Sequence, residues 1–403
     1  MISTLLFALT AFAIPNPPGA GRFEIPGFEL VYTAPVETKL EAPDLRNPTD
    51  VWVEMIDGAR KSLAFGEMYA VSKSGEPLER VMDALERAGK RGVKTRFMLE
   101  KKMLRASDDA TIARLRKIPG LELRIYDFGK LGTDGIVHAK YFLADNRVAY
   151  VGSQNFDWRS LKHIHETGLR VSEPAIVRQI DEIFEEDWKL AGELDAGKTP
   201  TLPRRRAVEL DAGGRRAYLV AGPPGLLPSD VVPSESEIVR LLGAAKKEIR
   251  VQVLDYSTSH RDKTAYETID RALRAAAARG VKVKLMVSHW NSEKPGIDDL
   301  KRLSQVPNVE VHMVTIPRAK EGKIPFARVN HSKILEIDDQ VAWVGTSNWS
   351  GGYLDKLRNL EIVVKNEKLA TRLAALHEQL WSSEYAAKLD PAKEYPKPDK
   401  GAD

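Results

Sequence analysis

Apolar positions along the chain change period in a regular order. In "PLERVMDALERAGKRG" the residues Leu78, Val81, Met82 and Leu85 recur at helical steps, which predicts an amphipathic helix ending at Arg91-Gly92. The next run, "VKTRFML", reads as a strand, "DDATIARLRKI" as a second helix and "LELRIY" as a second strand. Two further strands follow, joined at Asp145-Asn146, a tight-turn dipeptide, and a helix rich in Glu and Leu closes the segment at 173–191. Alternating helices and strands favour an α/β fold whose sheet is mixed and mainly parallel, with helices on its faces.

The pattern then repeats. "LERAGKRGVKTRFMLEKK" (85–102) matches "LRAAAARGVKVKLMVSHW" (273–290), and "IPGLELRIY" (118–126) matches "VPNVEVHMV" (306–314). Gly92 and Pro119 find their partners, Gly280 and Pro307, 188 positions on. His138, Gly152 and Trp188 find His331, Gly345 and Trp381 after 193. The second half therefore carries a net insertion of five residues before its histidine, around "RAKEGKIP". Its tight turn falls at Asp338-Asp339 and its closing helix at 366–382. One constant offset over so long a stretch means a duplicated domain, not a solenoid. The organisation expected is a leader and Pro-rich lead-in at 1–21, a first repeat at 22–200, a second at 201–385 and a polar tail at 386–403. The Pro, Gly and charge of "DAGKTPTLPRRRAVELDAGGRR" mark the linker between the repeats.

Composition narrows the chemistry. With 403 residues the chain is long enough for two ordinary cores. It contains no cysteine, which excludes disulfides, thiolate metal sites and cysteine nucleophiles. A formal charge of +4 permits an anionic partner without demanding one, and the "RRR" at 204–206 reads as a solvated linker run. The apolar stretch Ile2–Ile14, followed by proline, reads as an export signal with Ala11-Phe12-Ala13 as its cleavage site, which predicts a periplasmic or secreted protein. It is too short to span a bilayer.

The duplicated stretches "VHAKYFLADNRVAYVGSQNFDW" (137–158) and "NHSKILEIDDQVAWVGTSNW" (330–349) carry the reactive groups. On a strand, His138 and Lys140 would point the same way about 6–7 Å apart, as would His331 and Lys333. Asn155 and Asn348, with the hydroxyls of Ser153 and Thr346, follow in loops after the next strand. If the halves pack pseudo-symmetrically, two imidazoles, two ammoniums and two amides converge, a set suited to a phosphodiester. The lysines and amides would neutralise oxygens on a five-coordinate phosphorus without a metal or other cofactor. One imidazole can be a neutral nucleophile while the other is a protonated acid. Each needs a partner to fix its tautomer, and Glu166, 28 residues after His138, and Glu361, 30 after His331, are the candidates. Asp145 and Asp338 read as structural turn residues. Trp158, Trp290 and Trp349 read as core or pocket wall, and His163 and His165, which lack counterparts, as surface. A single His-x-Lys is ordinarily a surface pair; repetition of the whole set at one offset removes that reading.

The two copies of H-x-K-x4-D followed by G-S/T-x-N resemble the paired motifs of the phospholipase D superfamily, over about residues 45–385. "GSQNFDWRSL", "VLDYSTSH", "RGVKVKLMVSHW" and "VGTSNWSGGYL" are similar to the subgroup of the third and fourth mammalian phospholipase D isoforms and poxvirus relatives, although the cysteines of the animal members are missing. The resemblance implies two pseudo-symmetric phospholipase D-like repeats sharing one active site. It also implies a metal-independent phosphodiesterase or phosphatidyltransferase that works through a phosphohistidine. His138 would be the nucleophile and His331 the general acid; Lys140, Lys333, Asn155 and Asn348 would hold the phosphate, and Glu166 and Glu361 would orient the histidines. The substrate implied is a phospholipid or, alternatively, single-stranded nucleic acid cleaved from its 5′ end. Peripheral membrane contact and either a monomer or a homodimer are compatible with it. A catalytically silent lipid- or nucleic-acid-binding protein is the remaining alternative, and two intact motifs argue against it.

Overall fold

The computed structural model describes residues 21–200, 202 and 214–401. The export signal and the Arg204–Arg206 run lie outside the described residues. Two sheets are built from one plan. The first carries, in spatial order, Phe28–Thr33, Glu166–Val171, Val148–Gly152, Tyr141–Ala144, Ser62–Glu67, Lys94–Glu100 and Leu121–Tyr126. The second repeats that order with Ala217–Gly222, Asn359–Lys365, Val341–Gly345, Ile334–Ile337, Glu248–Gln252, Lys282–Ser288 and Val309–Val314. In each, the last three strands are parallel and the rest antiparallel. The sheets are thus mixed, with a parallel part narrower than the helix–strand alternation predicts. Only two connections per half are helical crossovers, and the tight turns force antiparallel pairs. The polar tail is not loose throughout, for Ala386–Lys388 adds an edge strand to the second sheet.

The helix over Pro77–Lys90 buries Leu78, Val81, Met82 and Leu85 completely, and Gly92 ends it at φ 84°. Gly280 does the same in the second half at φ 90°. Each sheet carries its own outer core against its crossover helices. A third core is common to both halves. Leu169, Ile180 and Phe184 from the first join Val344, Ile362 and Leu373 from the second. The closing helices, Pro174–Asp195 and Glu367–Trp381, both contribute to it. Burying apolar surface across the duplication fixes the halves rigidly against one another, which a site assembled from both requires.

The turn aspartates explain themselves. Asp145 (φ 54°) accepts from the amides of Arg60, Lys61 and Ser62 at 2.7–2.9 Å. Asp338 (φ 57°) accepts from those of Lys246, Lys247 and Glu248 at 2.7–2.8 Å. Each carboxylate ties a hairpin turn to the start of the neighbouring strand, a structural task at the strand end away from the histidines.

Candidate active site

The motif histidines stand just before the strands Tyr141–Ala144 and Ile334–Ile337, not within them. Their backbones are extended but paired across the duplication. The amides of His138 and Ala139 both donate to the carbonyl of Arg358 at 2.9 Å, and the amide of His331 donates to that of His165 at 2.9 Å. Arg358 and His165 occupy the same place in the two repeats, 193 positions apart. Arg358 is itself held by Asp187 through two hydrogen bonds of 2.8 and 2.9 Å, with both side chains sealed from solvent. Each half thus hangs its motif histidine on the other's chain, and one buried site results.

The two imidazoles have unlike partners. His331 Nδ1 lies 2.8 Å from Glu166 Oε2. His138 Nδ1 lies 2.9 Å from Asn359 Oδ1. The amide of Asn359 cannot be turned round, because its Nδ2 donates to the carbonyl of Tyr353 at 2.8 Å, which an oxygen could not do. Thr346 Oγ1 donates to the same Oδ1 at 2.7 Å. An acceptor at that place fixes the proton of His138 on Nδ1 and leaves Nε2 with its lone pair. The Tyr353 ring meets the imidazole edge-on, with centroids 4.9 Å apart.

The expected role of Glu361 is therefore corrected: it is Asn359 that reaches His138. Asn359, not Glu361, lies 193 positions after Glu166. Residues two apart on a strand share a face but not a contact, and Glu361 accepts hydrogen bonds from the hydroxyls of Ser234 and Ser347 instead. Burial pushes its pKa up to about 7.

Ser153 and Thr346 are likewise committed elsewhere than to a phosphate. Ser153 Oγ donates to the carbonyl of Thr167 at 3.1 Å and accepts from its amide at 3.0 Å. Thr346 Oγ1, besides its bond to Asn359, accepts from the amide of Leu360 at 3.1 Å. These hydroxyls fasten the strands that carry Glu166 and Asn359. The motif asparagines do keep free capacity. Asn348 Oδ1 accepts from the amides of Leu254 (3.2 Å) and Asp255 (3.4 Å), while its Nδ2 has no hydrogen-bond partner. Asn155 Oδ1 is also buried without one.

Both lysines are sealed, at 1% and 0% exposure, and fold back on their own motif. Lys140 Nζ donates to the carbonyl of His138, and Lys333 Nζ to that of His331 at 2.5 Å. Burial pulls the pKa of Lys140 down to about 7, against the pull of Glu67 and Glu166. It takes Lys333 well below the ordinary range, with Glu166 opposing and Lys140 reinforcing. Burial also lowers both histidines, helped by the two ammoniums, and pushes Glu166 up to about 8. Desolvation therefore dominates this site and opposes the charged form of each of these groups. The carboxyls of Glu67, buried, and Asp255, partly buried, complete the surroundings of the lysines. Neither was singled out from the sequence, since a lone acid in a strand or loop has no spacing signal. Asn359 had one, the 193-residue offset.

His163 and His165, expected at the surface, are each only 1% exposed. His165 Nδ1 lies 3.0 Å from Ser332 Oγ, within the seam between the halves. Trp349 is core and Trp158 nearly so, whereas Trp290 is half-buried against Phe326, with centroids 6.4 Å apart.

Residues 52–188 and 238–381 match the family described as "Cardiolipin synthase, PLD-like domain". A "Probable phospholipase D" of Caenorhabditis elegans is 33% identical over 373 residues, covering 84% of this chain and 67% of that one. Phospholipase D Z of Dictyostelium discoideum is 30% identical over 368 residues, covering 84% and 85%. The 5'-3' exonuclease PLD3 of Xenopus laevis is 29% identical over 402 residues, covering 89% and 80%. Among solved structures, phosphatidylserine synthase of Haemophilus influenzae superposes with a TM-score of 0.62 over 85% of both chains at 11% identity, a likeness of fold. With both repeats matched and one interdigitated pair of His-x-Lys motifs between them, the chain belongs to the phospholipase D-like family and is a phosphodiesterase of that superfamily in kind.

Proposed function

We propose that the chain cleaves or transfers phosphodiesters through a covalent phosphohistidine on His138, with His331 as general acid and then general base. The unlike partners of the two imidazoles are the observation that carries this reading. The amide oxygen of Asn359 holds the proton of His138 on Nδ1, so Nε2 is free to attack phosphorus. Glu166, whose carboxyl burial raises to about 8, gives Nδ1 of His331 a partner that can supply or share a proton, which is what an acid requires. As the P–O bond breaks, His331 Nε2 gives its proton to the departing oxygen. Water or an alcohol, deprotonated by the same nitrogen, then displaces His138 from phosphorus. Lys140, Lys333 and the unpaired amide of Asn348 supply charge and donors for the phosphate oxygens, so no metal is required for the chemistry.

Between substrate classes, the surroundings of His331 favour single-stranded nucleic acid. Trp290 and Phe326 form an aromatic edge beside Leu254 and Val329, one residue before Asp255 and two before His331, and Phe326 is 47% exposed. Lys400 lies 5.9 Å from the Trp290 ring. Aromatic faces beside cations suit unstacked bases and their phosphates. The phospholipid reading rests on the relatives named phospholipase D. A single panel in EDTA, with 5′-labelled single-stranded DNA beside phosphatidylcholine and phosphatidylglycerol vesicles, separates the two. We expect shortening of the DNA from its 5′ end, lost in His138→Ala. Headgroup release alone would establish the lipid reading, and loss of all turnover in EDTA, restored by a divalent ion, would refute the mechanism. Export by residues 1–21 is proposed with it. Recovery of intact Met1 in the cytosolic fraction of a Gram-negative host would overturn that.

A further inference from the structure

The five-residue insertion that breaks the internal symmetry leaves the second half and reaches the first. Its backbone at Lys320 donates to Glu37 Oε2 at 2.8 Å, and the carbonyl of Pro325 accepts from Arg159 at 3.0 Å. Between these points Glu321 comes to the buried imidazole of His163, Oε1 to Nε2 3.1 Å, without forming a hydrogen bond. Nδ1 of the same ring has no hydrogen-bond partner either. An imidazole 1% exposed with both nitrogens unsatisfied is uncommon, since buried polar groups almost always find partners. Glu76 supplies a third ligand atom. One atom each from Glu76, His163 and Glu321 lie within 4.8 Å of one another.

We propose that Glu76, His163 and Glu321 bind a divalent first-row cation, zinc in the first instance, which clips the insertion of the second repeat to the first. In tetrahedral zinc sites the ligand atoms stand about 3.4 Å apart, given bonds near 2.1 Å. Here Glu321 stands 3.1 Å from His163 and all three ligand atoms lie within 4.8 Å of one another, close to that spacing. One imidazole with two carboxylates suits zinc or manganese, with water filling the remaining positions. Lys162 contacts both oxygens of Glu76 at 2.9 and 3.2 Å. Each carboxylate oxygen keeps a second lone pair, so the ammonium offsets one negative charge without closing the site. The backbone shows what the clip would hold. The amide of Arg328 donates to the carbonyl of His163 at 3.2 Å, three residues before His331, and that of His165 to Val329 at 3.0 Å. An ion here would brace the segment that presents His331 while touching none of the reacting atoms.

The test is equilibrium dialysis of the full-length protein, stripped with chelator, against zinc chloride or manganese chloride alone, with thermal unfolding of the same samples. The wild type should take up one equivalent of zinc and melt at a higher temperature with it, because an ion bound only by the native state stabilises that state. His163→Gln and Glu321→Gln should each weaken uptake by about tenfold or more and remove the shift in melting temperature. Glu310→Gln, which alters a histidine–carboxylate contact elsewhere (His312–Glu310, 2.8 Å), should leave uptake unchanged. If His163→Gln does not fold, the exposed Glu321 decides alone. No uptake at millimolar zinc, or uptake that persists in Glu321→Gln, overturns the site. Turnover of Glu321→Gln should be the same with and without EDTA, which keeps failure of this site distinct from failure of the metal-independent mechanism.

Discussion

His138 and His331 occupy equivalent places in two repeats that share a strand order, turn aspartates and lysines, yet one leans on an amide and the other on a carboxyl. A perfectly symmetric site would hold two rings of equal basicity, and neither would be preferred for attack or for proton donation. Exchanging one atom type, carboxyl oxygen for amide, at the 166/359 position removes the degeneracy. The neutral partner leaves His138 unprotonated in a site where burial and two ammoniums already oppose its charge. On the proposed mechanism, Glu166, raised to about 8 by burial, shares with His331 the proton that passes to the leaving group. Duplication supplied the scaffold, and on that mechanism divergence at one position separates the roles.

The comparison breaks most visibly when the rings are removed. His138→Ala should reduce turnover by about 10⁴-fold or more on every substrate, since no covalent intermediate can form. His331→Ala should cost about 10²–10⁴-fold with an alkoxide leaving group but spare the first step with p-nitrophenolate, which needs little protonation. Rapid quench of that variant should show phosphate on the protein in an acid-labile, base-stable linkage. Label on His331 in the His138→Ala variant would reverse the assignment.

Exchanging the partners sharpens it. Glu166→Gln should lower turnover of poor leaving groups by about 10²-fold, within the range of general acid catalysis, and affect good ones far less. Asn359→Asp places a carboxylate beside His138 and favours its charged form. The acid limb of the kcat/KM profile should then move up by about 1 pH unit or more. Equal losses for both leaving groups in Glu166→Gln, with an unmoved profile in Asn359→Asp, would mean that the two partners do not divide the chemistry.

A smaller effect reads the lysines. With a pKa near 7 in the free protein, Lys140 is an ammonium below that pH and an amine above it. Diethyl phosphate, whose single charge is constant over this range, should therefore bind more weakly as pH rises through 7, by up to about tenfold per unit. Lys140→Arg, which cannot lose its proton there, should lose the part of the slope centred near 7 and keep only what Glu166, raised to about 8, contributes above it. Binding that strengthens with pH would contradict the sign.

Most of this arrangement is legible without coordinates, and the illegible part has a physical reason. The duplication, the helices over 77–90 and 174–195 and the pairing of the two motifs follow from periodicity and one constant offset. The width of the parallel part depends on which strands meet, which periodicity does not report. His163 and His165 look like surface residues because nothing in one half signals that the other half will cover them, His163 with its insertion and His165 with the motif segment at Ser332. Ser153 and Thr346 sit where phosphate ligands are expected, but their hydroxyls are spent on the backbone of the neighbouring strand. Glu67 and Asp255 reach the lysines only through the folded sheet.

Glu361 tests how far the symmetry extends. In the first repeat its place is taken by Gly168, 193 positions earlier, so no acid answers it there. Its carboxyl is buried, held by the hydroxyls of Ser234 and Ser347, and has no contact with His138. Glu361→Gln should therefore leave kcat/KM within about threefold of wild type, as expected for a substitution away from the reacting groups. Stability should respond instead. A carboxyl whose pKa is raised from 4.5 to about 7 on folding contributes most below 4.5 and loses that contribution as pH rises through 7. The shift corresponds to about 3 kcal/mol at most, a factor to be read as an upper bound because the ionised form can relax toward its two hydroxyl donors. Gln keeps an acceptor for one hydroxyl and offers a donor to the other, which can rotate to accept. The melting temperature of the wild type should thus fall between pH 5 and pH 8 by more than that of Glu361→Gln. Parallel curves for the two proteins would show that Glu361 stays ionised in the fold, and a large loss of turnover would restore it to the histidine from which the structure separates it.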